Sequence, residues 1–116
     1  MSMLVVLVED DEISRDIVEA TLRREGLSVR TVATGDEAVA LLTDELLRPD
    51  LLVTDLQLPG DLDGWSVAQI FQDEHPNLPV IYITATDGES DHVGNSIYLR
   101  KPVSPNLLLG AIKALA

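Results

Sequence analysis

Apolar residues run unbroken through LVVLV at 4–8 and then stop against four acids, Glu9 to Glu12. A strand that is apolar at every position is buried on both faces, as in a parallel sheet covered by helices on each side. LLVTD (51–55) and PVIYIT (79–84) repeat the pattern. LSVRTVA (27–33) alternates instead, like a half-buried strand, and SIYL (96–99) is a short last strand. Between these runs the spacing turns helical. ISRDIVEATLRREG places Ile13, Ile17, Val18 and Leu22 on one inward face, with Gly26 as the stop. GDEAVALLTDELL (35–47) does the same with Ala38, Leu41, Leu42 and Leu46, and Pro49 ends that helix. WSVAQIFQDE (65–74) predicts a helix with Val67, Ile70 and Phe71 inward, Trp65 and Phe71 marking one face. The last helix, 104–116, takes Ser104 as its N-cap and Pro105 at its first position. LQLPGDLDG (56–64) is turn chemistry.

Five strands alternating with helices predict an α/β fold: an open, doubly wound parallel sheet with helices on both faces. Sites in such sheets form outside the carboxyl ends of the strands. Glu9, Asp10, Asp55 and Thr84 all fall at such ends. One crossover stands apart. The eleven residues ATDGESDHVGN (85–95) fall short of the dozen or so that a parallel crossover normally takes, so a loop or at most one helical turn is expected there.

Composition narrows the function. The 116 residues suit one domain, 1–116, and 46% apolar residues suffice for a core. The start carries no basic region or cleavage site of a secretory signal, no apolar run reaches the length of a membrane span, and cysteine is absent. A cytoplasmic protein is expected. The net charge of −12, from 8 Lys+Arg against 20 Asp+Glu, disfavours direct binding to nucleic acid or to an anionic membrane. Adjacent acids at a strand end repel, and a bound cation would relieve them. DLDG (61–64) does not make a calcium loop, because Pro59 and Ile70 occupy the ligand positions that matter. No Gly-rich phosphate loop follows any strand. His75 and His92 stand alone and read as surface residues.

The stretches VVLVEDDEISR, PDLLVTDLQLPG, LPVIYITA and YLRKPVSP, in this order and near these spacings, resemble the receiver domain of two-component response regulators. The resemblance covers essentially the whole chain. It implies a flavodoxin-like strand order 2-1-3-4-5 and a phosphoryl group passed from a phosphohistidine to an aspartate, with Asp55 as the nucleophile. Positioning and charge compensation do most of such catalysis. Mg²⁺ is the implied cofactor, held by Asp10, by Glu9 through a metal-bound water, by Asp55 and by the backbone carbonyl of Gln57. Lys101 would pair with Asp55 or a phosphoryl oxygen, and the Thr84 hydroxyl would donate to the phosphoryl group. Backbone N–H groups near Leu56 and Ala85 would complete the cradle. Thr84 and Tyr98 would form the switch. Asp11 and Glu12 read more simply as acids in the first turn of a helix.

The implied partners are a histidine kinase or histidine phosphotransfer domain, and a downstream protein or fused domain. The chain would be an enzyme only toward itself, catalysing its own phosphorylation and dephosphorylation. The sequence departs from the family pattern twice. PGDLDG is one residue longer than usual, and its extra acid, Asp61, is expected near the metal. The short 85–95 crossover implies that the helix between the fourth and fifth strands is truncated or replaced by a loop, which puts the usual dimer face in doubt. The chain stops at the end of the last helix, so no output domain is expected within it. A phosphorylation-independent adaptor is the competing function. A Mg²⁺-dependent phosphatase lacks a second acid placed as general acid.

Overall fold

The computed structural model describes residues 3–85 and 95–115. Strand β1 (Leu4–Val8) leads to helix α1 (Glu12–Arg24), β2 (Ser28–Val32) to α2 (Gly35–Ala40) and β3 (Leu51–Asp55) to α3 (Gly64–Glu74). Strand β4 (Val80–Thr84) and strand β5 (Ser96–Arg100) precede the last helix, α4 (Pro105–Leu115). All pairings are parallel, in the order β2-β1-β3-β4-β5. The predicted sheet and strand order are therefore present. The short crossover expected at 85–95 falls almost wholly outside the described residues, as does His92.

Alternation along the strands divides the core in two. Val5, Leu7, Leu51, Val53, Ile81 and Ile83 face Val18 and Leu22 of α1 and Leu108 and Ile112 of α4. Val6, Val8, Leu52, Val80 and Tyr82 face Ala38 of α2 and Val67, Ala68 and Phe71 of α3. The strands read as continuous apolar runs because both faces are covered. Complete burial of a side chain such as Phe71 contributes about 2–3 kcal/mol.

Three helices differ from their patterns. In α1 the buried stripe is Val18, Thr21 and Leu22, whereas Ile13 is 72% and Ile17 50% exposed. Thr21 fits the buried face because its hydroxyl donates to the Ile17 carbonyl at 2.9 Å. Helix α2 ends at Ala40 and gives way to a 3₁₀ turn at Leu41–Thr43, well short of the predicted residue 47. The backbone finds other partners there. The Leu46 N–H donates to the Asp44 carboxylate at 2.9 Å and the Leu47 N–H to the Asp44 carbonyl at 3.0 Å. A short polar side chain that offers such a turn competes with helix. As a result Leu47 enters the core and Leu46 is 90% exposed. In α3, Phe71 is buried but Trp65 is half-exposed, so the two do not share a face.

Candidate functional site

Parallel pairing sets the carboxyl ends of β1, β3, β4 and β5 side by side. The Glu9 N–H extends the β1–β2 ladder to the Val32 carbonyl at 3.0 Å. The Leu56 N–H extends β3 to Ile83 at 3.0 Å, and the Lys101 N–H extends β5 to the Thr84 carbonyl at 2.8 Å. These ties fix the backbone on which Glu9, Asp55, Thr84 and Lys101 stand. Glu9, Asp55 and Thr84 are buried, and Asp10 is exposed at the rim. The peptide joining Lys101 to Pro102 is cis.

The Lys101 ammonium bridges two carboxylates. Its Nζ donates to Asp55 Oδ2 at 2.7 Å and lies 2.6 Å from Glu9 Oε1. That buried Glu9 oxygen is therefore held by the ion pair with Lys101. The other Glu9 oxygen, Oε2, accepts from the Asp11 N–H at 3.3 Å. Burial pushes the Glu9 carboxyl up to about 7, Lys101 opposes this, and neighbouring Asp55 adds to it. Burial pulls the Lys101 ammonium down, but Asp55 and Glu9 outweigh it and leave its pKa raised.

One carboxylate oxygen each from Glu9, Asp10 and Asp55 lie within 4.8 Å of one another. A six-coordinate Mg²⁺ sits about 2.1 Å from each ligand, so its ligands are about 3–4 Å apart. The hard oxygen donors and their spacing fit such a cation. Among the described residues, Asp61 does not join this cluster, so the lengthened loop does not bring its extra acid to the candidate cation position.

The remaining candidates sort by position. Asp11 is the N-cap of α1, just before its first turn, accepting from the Ser14 N–H at 3.2 Å and the Ser14 hydroxyl at 2.7 Å. These bonds hold its pKa below the usual carboxylate value. Glu12 opens the helix as expected. The Leu56 N–H is spent on Ile83, and it is the Gln57 N–H that donates to Asp55 Oδ1, at 3.0 Å. Tyr98 is half-buried opposite Tyr82, and their rings stack with centroids 4.9 Å apart. Trp65 closes a three-ring cluster at 4.7 Å from Tyr82 and 5.7 Å from Tyr98. Burial, with Tyr98 adding to it, pushes the Tyr82 hydroxyl up to about 12.

Two residues beside the site escape the sequence reading. Arg15 donates from Nη1 to the Glu9 carbonyl at 3.0 Å. Gly64 packs its backbone directly on the end of β3, where an added Cβ would lie 2.2 Å from the Asp55 carbonyl oxygen and 2.8 Å from the Leu56 Cα. The Asp-Gly pair at 63–64 was the available signal, but it read as a turn rather than a close approach.

A family model described as the response regulator receiver domain matches residues 5–113. The chain belongs to this family. Its members are signalling domains of two-component phosphorelays rather than enzymes of the ordinary kind. The receiver is 36% identical over 115 residues to the transcriptional regulatory protein AfsQ1 of Streptomyces coelicolor. That match covers 95% of this chain and 49% of the relative, so the receiver spans about half the relative's length. A response regulator receiver protein from Sinorhizobium medicae superposes with a TM-score of 0.89 at 31% identity, over 98% of this chain and 94% of that one. A putative response regulator from Chloroflexus aurantiacus gives 0.86 at 29%, over 99% and 98%. Among the described residues, no helix of the receiver is long and apolar enough to cross a membrane.

Proposed function

We propose that this chain is a single receiver domain that accepts a phosphoryl group on Asp55 from the phosphohistidine of a histidine kinase or phosphotransfer domain. The observation that carries the reading is the buried Asp55 carboxylate, paired with one ammonium and grouped with two further carboxylates at the strand ends. An Asp55 oxygen forms the new P–O bond as the P–N bond breaks. The electron pair leaves with the imidazole nitrogen, which then takes up a proton.

Glu9, Asp10, Asp55 and the Gln57 carbonyl would hold Mg²⁺, which when bound supplies charge neutralisation at the phosphoryl oxygens. Lys101 already lies on Asp55 and turns to a phosphoryl oxygen once the carboxylate has become an acyl phosphate. The Thr84 hydroxyl donates to the same group, and its movement releases Tyr98 to rotate. That rearrangement passes the signal in the cytoplasm to a downstream partner or fused domain. Exposed Ile13 and Ile17 lie one turn apart on α1, just beyond Asp10 and Asp11 at the rim. They offer the donor protein an apolar foothold beside the site.

Incubation with Mg²⁺ and acetyl phosphate, followed by intact-mass measurement, tests this. A phosphate adduct on the wild type that is missing in Asp55→Asn is the expected result. No adduct, together with no spectral response to Mg²⁺ and beryllofluoride, would leave the adaptor as the better reading.

A further inference from the structure

We infer that Arg15 is a positioning residue for the cation site, clamping the Glu9–Asp10 peptide so that both carboxylates are presented toward Asp55. This rests on the reading of Glu9 and Asp10 as cation ligands. Arg15 Nη1 donates to the Glu9 carbonyl at 3.0 Å, and the Glu9 N–H donates to Val32 at 3.0 Å. Both polar main-chain atoms of Glu9 are thus held, one by α1 and one by β2. The Glu9 carbonyl and the Asp10 N–H belong to one planar group. Holding the carbonyl therefore sets the plane from which the Asp10 side chain departs. Arg15 is placed for this by the start of α1, where its own N–H donates to the Asp11 carbonyl at 2.9 Å. The Asp11 N–H ties down Glu9 Oε2, and Lys101 pairs with Oε1.

Arg15 has two effects of opposite sign. Its positive charge near a cation site weakens binding, whereas ordering the ligands strengthens it. Ordering dominates, because without its donor the peptide can turn and carry Asp10 with it. Groups that orient metal ligands are typically worth about tenfold or more in affinity.

The test titrates Mg²⁺ into the wild type, Arg15→Met and Arg15→Lys by calorimetry, with thermal unfolding in chelator alongside. Arg15→Met should bind about tenfold more weakly. Arg15→Lys, whose ammonium can donate to the same carbonyl, should recover most of the loss, with metal-free unfolding close to wild type. Equal or tighter binding by Arg15→Met overturns the clamp, tighter binding meaning that only the charge is felt. Weak binding in both variants with early melting also overturns it, since the role is then purely structural. A wild type that binds no Mg²⁺ overturns both the clamp and the cation site. Weaker binding by Arg15→Met supports the clamp even where Asp55 accepts no phosphoryl group.

Discussion

Glu9 carries the most perturbed carboxyl beside the site, and its perturbation has a sign. Its folded pKa of about 7 lies above its ordinary 4.5, so the folded state holds the proton more tightly than the unfolded chain. The stability this contributes is complete below pH 4.5 and is lost as the pH rises through 7. Urea unfolding of the metal-free protein should therefore weaken across that window, and Glu9→Gln should flatten the dependence. Mg²⁺ favours the ionised carboxylate, so its affinity should fall as the pH drops below about 7. Gly64 makes a different demand. A methyl group there meets main-chain atoms, which cannot swing aside, so Gly64→Ala should cost about 3 kcal/mol in urea unfolding. Glu9, Asp10 and Asp55 were legible because a strand end followed by a charged side chain is visible in one dimension, whereas Lys101 was legible only through the resemblance carried by YLRKPVSP. Arg15 and Gly64 were not, because each acts on a backbone atom, and side-chain patterns carry no record of such contacts.

The three central strands, β1, β3 and β4, were readable almost to the residue, since burial on both faces makes each a nearly continuous apolar run. The helices were less so. Helical spacing groups apolar residues but does not say which group turns inward, and in α1 the sheet takes Val18 and Leu22 and leaves Ile13 and Ile17 outside. That exposure has a use in the proposed docking. Ile17→Ser should leave stability within about 0.5 kcal/mol and acetyl phosphate labelling unchanged, while slowing transfer from a phosphohistidine protein. Rates measured with the two donors in parallel would check this. The end of α2 was hidden for another reason: Leu41, Leu42 and Leu46 keep helical spacing, but Asp44 captures the backbone first. On the opposite side of β4 and β5 from α1, Trp65, Tyr82 and Tyr98 tie α3 to both strands. Trp65 is the single tryptophan, so its emission reports on this cluster. Beryllofluoride with Mg²⁺ should change that emission in the wild type and not in Asp55→Asn. An unchanged spectrum in a protein shown by mass to be phosphorylated would count against Tyr98 as a switch.

At the scale of the molecule, the parallel order β2-β1-β3-β4-β5 turns four scattered motifs into one site. Residues 9, 55, 84 and 101 share only a position at a strand end, and adjacency of β1, β3, β4 and β5 does the rest. The surplus of acid, a net −12, is then of two kinds. Most of it is solvated surface, whereas the cluster of Glu9, Asp10 and Asp55 is partly buried and compensated by Lys101. In the proposed function this compensated cluster moves a phosphoryl group onto Asp55. Radiolabelled phosphohistidine donor, mixed with the chain in Mg²⁺ or in chelator, measures that transfer directly. Label should pass to the wild type only with Mg²⁺ and should not pass to Asp55→Asn. Transfer that persists in Asp55→Asn, or that ignores the removal of Mg²⁺, would contradict that function.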